Sequence, residues 1–227
     1  SILAGLTNET TNTTINQVCG SGLASVALAY NSIKSGDGKV ILAGGQESMS
    51  NSPHYINIRK GIKMGDGNMK DSMIIDGLWD VYNQYHMGIT AENVAEKFQI
   101  KREEQDSFAA ASQRKATEAI KGKKFVNEIV PVKIKVKKEE IVFDKDEYPK
   151  AESTVEKLAK LRSAFKKDGT VTAGNASGVN DGAAAVCLMT GELAKKKDIE
   201  PLAKIVSWAQ CGVDPSIMGT GPIPASK

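Results

Sequence analysis

The sulfur of Cys19 is the group in this 227-residue sequence best placed to do chemistry. Thr13–Val18 reads as a short strand. Leu23, Val26, Ala27, Tyr30 and Ile33 then recur at helical spacing. Cys19-Gly20-Ser21-Gly22 therefore stands where a strand hands over to a helix. The unpaired N–H groups and the dipole at a helix N-terminus favour an anion, which is the form a sulfur nucleophile needs. Gly20, Ser21 and Gly22 are small enough for a carbonyl to approach the sulfur and for backbone amides to point at it. The chemistry served is acyl transfer through a thioester. The other reading of Cys19 is a small core cysteine at a tight turn. Cys187 and Cys211 lie in apolar strand patterns and read as core.

A nucleophilic cysteine usually works with a base. The sequence holds two histidines, His54 and His86. His54 follows a proline and reads as a turn residue. His86 precedes Met87-Gly88 at a helix entry, where it could line a pocket, act as base or be a half-exposed polar residue. Asn175-Ala176-Ser177-Gly178 offers an amide, a hydroxyl and open backbone, suited to an amide-containing substrate arm or simply to a turn. The seven lysines at 121, 123, 124, 133, 135, 137 and 138 read first as a solvated face, diluted by Glu128, Glu139 and Glu140. Phosphate contact is the alternative.

The composition excludes several classes. The formal charge is +3, from 30 Lys and Arg against 27 Asp and Glu. That is too small to imply a nucleic-acid partner without a concentrated basic face. The longest apolar run, Ala183–Met189, falls far short of the roughly 20 residues that span a bilayer. Three dispersed cysteines without a CxxC speak against a disulfide scaffold and a zinc site, and make a reducing compartment, the cytoplasm, the default. Neither a phosphate-binding P-loop nor a dinucleotide fingerprint occurs in its strand-helix setting.

The helix after Cys19 should stop at Ser35-Gly36, and Val40–Ala43, ended by Gly44-Gly45, reads as a strand buried on both faces of a parallel sheet. Residues 51–85 show no period. Thr90 reads as an N-cap, with Ile89 and Val94 as its staple, for a helix running to about Gln99. A second helix is expected over Arg102–Lys121, stopped by Gly122. Val130, Val132, Ile134 and Val136 alternate with polar residues as a half-buried strand, with Ile141–Phe143 as partner. Ser153–Leu161 suggests a short helix, Ala183–Met189 a buried strand, Gly191–Lys197 a helix and Ala203–Ala209 a strand. Ser1 as first residue, and a helix-start signal at Gly221-Pro222-Ile223-Pro224 that has barely begun, lead to the expectation of an internal piece of a longer protein.

Four segments, Asn16–Gly22, Ala43–Ser50, Tyr85–Gly88 with Thr90–Asn93, and Gly169–Gly182, resemble the thiolases, most closely the biosynthetic type, acetyl-CoA C-acetyltransferase. The resemblance runs over nearly the whole chain, with the segments in the family's order. It implies an α/β, layered α-β-α-β-α fold. Residues 1–50 and 169–198 would form part of the first half, 51–168 an inserted α+β loop domain for coenzyme A binding and tetramerisation, and 199–227 the start of the second half.

The resemblance further implies that Cys19 is acylated by acetyl-CoA, or by acetoacetyl-CoA in reverse. A second acetyl-CoA, as its carbanion, then attacks the acetyl-cysteine in a Claisen condensation. His86 would line the pocket near the thioester rather than act as base, and Met87 beside it is typical of the short-chain type. Ser177 would contact the pantetheine arm. Ala173, Phe165, Leu78, Val179 and Met218 would border the coenzyme path. Lys150 stands where the family often has Arg, and can meet phosphate without a bidentate fork. Residues 57–73, with Arg59, Lys60 and Lys63, resemble the loop that joins dimers into a homotetramer.

Coenzyme A thioesters are substrates, and no metal or further cofactor, nucleic acid or membrane partner is implied. The family's base histidine, second cysteine and water-orienting asparagine would follow residue 227, so these residues alone are expected to be inactive. Other readings are a degradative 3-ketoacyl-CoA thiolase, a ketoacyl synthase, and a non-catalytic coenzyme A binding or scaffold protein.

Overall fold

A computed structural model describes residues 1–227. In chain order the elements are α1 (Ser21–Ser35), β1 (Val40–Glu47), β2 (His54–Tyr55), β3 (Lys70–Asp71), β4 (Trp79–Asp80), β5 (Tyr85–His86), α2 (Met87–Lys97), α3 (Arg102–Lys121), β6 (Val132–Val136), β7 (Glu139–Phe143), α4 (Val155–Leu158), β8 (Gly182–Met189), α5 (Gly191–Lys196) and α6 (Pro222–Ala225). A π-helical stretch covers Met73–Leu78, and a 3-10 turn covers Pro215–Thr220. Two compact units result: Ser1–Gly77 with Val179–Gln210, and Leu78–Gly178 with Cys211–Lys227.

In the first unit β1 and β8 form an antiparallel ladder eight residues long, from Val40↔Met189 to Glu47↔Gly182. The expectation of a parallel strand buried on both faces is corrected here, for Val40, Leu42 and Val186 are about half exposed. An unbroken apolar run records that a strand is apolar, not which way its partner runs or how many faces are covered. The ladder also runs through Gly44 and Gly45 instead of stopping there. The helix α1 packs on it; Ala24, Ala27 and Ala29 are buried on the helix and Ala43 on β1. Gly45 permits close approach: a Cβ there would stand 3.3 Å from Gly22 Cα. At its far end α1 stops as expected, with Gly36 left-handed (φ 85°) and its N–H donating to Ile33 and Ser32 carbonyls. Thr13–Val18 forms no strand; the one pairing there is a bridge between Gln17 and Cys19. Ala203–Ala209 likewise stays outside any ladder. A β-prone segment becomes a strand only where a neighbour takes its hydrogen bonds.

In the second unit the hairpin β4–β5 pairs Trp79 with His86 and Asp80 with Tyr85. Its turn is pinned by the buried Asp80, whose Oδ1 accepts from Tyr82 N (2.9 Å) and Asn83 N (3.1 Å). The helix α2 begins at Met87, not Thr90. His86 takes the N-cap position, its Nδ1 accepting from Gly88 N, while Thr90 is buried inside the first turn and donates to the Met87 carbonyl at 2.6 Å. Imidazole can fill a capping role that sequence rules reserve for short oxygen side chains. The expected boundaries of α3 hold at both ends; Glu104 Oε2 accepts from Lys101 N (2.8 Å) to open it. The β6–β7 hairpin forms with Val132 opposite Phe143. All ten of its strand residues are exposed, so the expected half-buried face is corrected to two open faces.

Candidate active site

In the first unit the Asn16–Ser21 segment makes a tight, strained turn. Val18 adopts φ 49°, a left-handed conformation that a β-branched residue takes at a cost of about 1–2 kcal/mol. Side chains on either side impose it. Asn16 Oδ1 accepts from Val18 N at 2.8 Å. Ser21 Oγ accepts from Gln17 N at 2.8 Å and donates to the Val18 carbonyl at 2.7 Å. Gly20 N and Ser21 N close the turn on Gln17 and Val18 carbonyls. Cys19 therefore sits exposed at the crest, directly before the first turn of α1. Ser25 Oγ donates to the Gly44 carbonyl at 3.0 Å, fastening the start of α1 to β1. Ser50 and Asp181 are joined by a hydroxyl–carboxylate bond, and Ser50 N donates to the same carboxylate at 2.9 Å. Those Ser50 bonds hold the Asp181 carboxyl below the usual carboxylate range despite desolvation. Cys187 and Cys211, read as core, are both exposed. Cys187 lies on a sheet that is mostly open, and Cys211 lies outside any strand.

In the second unit β5 and α2 set the imidazole of His86. Its ring stacks on Phe165, with centroids 4.7 Å apart and planes 18° apart. Burial pushes its pKa down, so it is neutral near pH 7. The Gly88 N–H donates to Nδ1 at 3.0 Å. In the neutral ring that leaves the proton on Nε2. Held this way, His86 offers an N–H to a carbonyl oxygen and has no free lone pair with which to abstract a proton. Gly88 is required by this arrangement, because a Cβ there would collide with the Phe165 ring. Gly88→Ala should force the rings apart and cost about 1–3 kcal/mol. The check is a thermal melt beside the ring-proton shifts of His86, which should move; unchanged shifts would contradict the stacking.

The other expected residues fall around α2. Met87 is its first residue and half-buried. Leu78, half-buried, precedes β4, whose Trp79 faces His86. Met218 is exposed on the 3-10 turn packed on α2, and Asn93 Nδ2 bridges Tyr85 Oη (3.1 Å) and the Ser216 carbonyl (2.9 Å). Ala173 and Ser177 are exposed in the irregular segment that begins at Gly169. Lys150 is exposed, its N–H donating to Gln113 Oε1 on α3 at 2.8 Å. Cys19 and Val179 belong to the first unit, and the remaining eight candidates to the second.

Sequence reasoning missed the residues that hold the 169–178 segment. Glu92 on α2 is buried, and its carboxylate accepts from Thr170 N, Val171 N and the Thr170 hydroxyl at 2.8–2.9 Å. Burial alone would push this carboxyl up. The Thr170 and Val171 hydrogen bonds and the charge of Lys166 outweigh it and leave it below its usual range. The signal in the sequence is an acid within the Thr-Ala-Glu-Asn run on a helix face that otherwise buries Gly88 and Ala95.

Residues 1–192 match the family described as "Thiolase, N-terminal domain". The chain is 59% identical over 224 residues to an acetyl-CoA acetyltransferase of Rhizobium meliloti (strain 1021), covering 99% of this chain and 57% of that one. It is similar in structure to the Bacillus anthracis acetyl-CoA acetyltransferase, with TM-score 0.93, 45% identity, 99% of this chain and 57% of that one. It is similar also to human mitochondrial 3-ketoacyl-CoA thiolase in complex with CoA, with TM-score 0.91, 44% identity, 99% of this chain and 56% of that one. The chain thus spans a little over half the length of the relatives it matches. A thiolase-like α/β fold carrying the family's N-terminal domain over most of its residues places this chain in the thiolase family.

Proposed function

We propose that this chain carries the acyl-accepting cysteine and much of the coenzyme A site of an acetyl-CoA C-acetyltransferase. Cys19 Sγ attacks the thioester carbonyl of acetyl-CoA, the C–S bond to coenzyme A breaks, and its thiol leaves. A second acetyl-CoA gives up an α-proton to a base, and its carbanion attacks the acetyl-cysteine, forming the new C–C bond and breaking the acyl C–S bond, so that Cys19 is released as acetoacetyl-CoA departs. His86, neutral with its proton on Nε2, donates to an oxygen at the thioester end beside Met87. Ser177 meets the pantetheine arm. Phe165, Leu78, Ala173, Val179 and Met218 border it, and Lys150 meets phosphate. Residues 57–73, with Arg59, Lys60 and Lys63, serve assembly into a tetramer.

The single observation that carries this reading is the strained Val18 turn, which sets an exposed Cys19 directly before α1. The acetyl-CoA acetyltransferase relatives support the substrate class. Structural likeness alone is nearly as high to a 3-ketoacyl-CoA thiolase; Met87 beside His86 supports the short-chain substrate.

Iodoacetamide tests the proposal. All three cysteines are exposed, so accessibility does not separate them. Near neutral pH Cys19 should alkylate at least about tenfold faster than Cys187 or Cys211, because the thiolate is the reacting form. Peptide mass spectrometry over a time course reads the rates. Equal rates at the three sulfurs would remove Cys19 as nucleophile and leave a non-catalytic binding protein.

A further inference from the structure

The segment from Gly169 to Ser177 forms no helix or strand, yet its first half is held by directional bonds at almost every residue. Glu92 takes the N–H groups of Thr170 and Val171 and the Thr170 hydroxyl. Gln105 Nε2 donates to the Thr170 hydroxyl at 2.8 Å. Ser163 bridges to Thr172, and Ala164 N donates to the Val171 carbonyl at 2.9 Å. Asn175 then folds the segment back on itself. Its Oδ1 accepts from Thr172 N at 2.7 Å, and its Nδ2 donates to the Thr170 carbonyl at 3.0 Å. The second Nδ2 hydrogen goes to Asp106 Oδ1 on α3 at 2.9 Å. Asp106 is 1% exposed, and its other oxygen accepts from Arg102 Nε at 2.7 Å. Arg102 Nη2 donates to the Leu158 and Leu161 carbonyls at 2.7 and 3.1 Å, at and just beyond α4.

Two carboxylates and a guanidinium drawn out of water are a poor way to gain stability, since apolar packing of similar volume does as well. What they supply is direction. Each bond fixes a backbone amide, or the Asn175 side chain, in a stretch that has no ladder of its own. The ordering reaches Ala176, whose N–H donates to the Thr172 carbonyl at 3.0 Å, directly before the exposed Ser177. A loop set in its bound shape beforehand spares the ligand the entropy of ordering it.

We propose that Glu92 and Asp106 are positioning residues for the coenzyme A arm: through the 170–172 backbone and Asn175 they preset the loop that presents Ser177. This rests on the reading of Ser177 as a pantetheine contact. The chemistry of the substitutions follows from the donors. Asn at 106 has one carbonyl oxygen for two incoming donors, and its NH2 faces either Asn175 Nδ2 or Arg102 Nε. Gln at 92 turns an NH2 toward the Thr170 or Val171 N–H in the same way. Asp106→Asn combined with Asn175→Asp restores a donor facing an acceptor between the two positions, but sets a carboxylate oxygen against the Thr170 carbonyl that Asn175 Nδ2 meets.

The test uses the whole protein with three readouts: hydrogen exchange of the 170–177 amides without ligand, coenzyme A affinity by calorimetric titration, and the Cys19 alkylation rate. Asp106→Asn should speed loop exchange about tenfold and weaken coenzyme A about tenfold, with Cys19 alkylation unchanged, as expected for the loss of one charge-assisted bond. Glu92→Gln should act in the same direction, and the Asp106→Asn/Asn175→Asp pair should stay weaker than wild type, because the Thr170 carbonyl then loses its donor. Wild-type binding of coenzyme A with unaltered affinity in both single variants overturns this proposal alone. Faster loop exchange with unaltered affinity also overturns it, because the loop is then held but not for the ligand. A wild-type protein that binds no coenzyme A overturns the reading of Ser177 beneath it, and the proposal falls with it.

Discussion

Cys19→Ala is expected to lower the exchange of labelled coenzyme A into acetyl-CoA by at least about 10⁴-fold in the whole protein, since the acyl group then has no sulfur to occupy. This exchange isolates the first half of the proposed reaction and needs no carbanion. Cys19 is exposed on a turn whose hydrogen bonds come from Asn16, Ser21 and backbone groups, not from the thiol. The substitution should therefore leave the melting temperature nearly unchanged, which separates lost chemistry from lost fold. Cys187→Ala, also exposed, is the matched control and should keep its exchange activity. Exchange that survives in the Cys19→Ala protein would mean that another group carries the acetyl, and the proposed mechanism would fall.

The largest stability effect is expected at Gly44. A Cβ there would drive into the Ala184 carbonyl oxygen and stand 3.0 Å from Ala185 Cα. Both are backbone atoms of β8 and cannot swing aside as a side chain can, so the β1–β8 ladder must open where Gly44 faces Ala185. The Gly44 carbonyl also accepts from Ser25 Oγ, so the shift loosens α1 from the sheet as well. Gly44→Ala should cost about 3 kcal/mol, at the upper end for overpacking. Gly182, at the end of the same ladder, has open space around a virtual Cβ, and Gly182→Ala should stay within about 0.5 kcal/mol of wild type. Urea unfolding midpoints with unchanged m-values give the comparison. Equal midpoints for the two variants would show that β1 and β8 do not approach at Gly44 as described.

The elements read correctly from the sequence share one property: their bonds are local. The whole of α3 was legible because a 20-residue helix closes its own hydrogen bonds, and Gly122 follows the last periodic residue. The stop of α1 was legible because left-handed backbone at position 36 suits glycine best. The misses are non-local. Ala203–Ala209 and Thr13–Val18 have strand character but no strand beside them, and β1 has an antiparallel neighbour 135 to 149 residues further along, from Glu47↔Gly182 to Val40↔Met189. The start of α2 was misplaced because the side chain that caps it is an imidazole held by its own stacking on Phe165.

By itself the sequence determined which residue is the nucleophile candidate, where the long helices lie, and which four segments tie the chain to its family, since these depend on residue type and short spacing. Only the tertiary structure decided what holds the site. That Val18 is turned left-handed by Asn16 and Ser21, that His86 keeps its proton on Nε2, and that Glu92 and Asp106 set the shape of the 170–175 backbone are facts of donors meeting acceptors, several of them across 69 to 79 residues of chain. A carboxylate's partner is fixed by where folding brings the amides, and no local pattern encodes that distance.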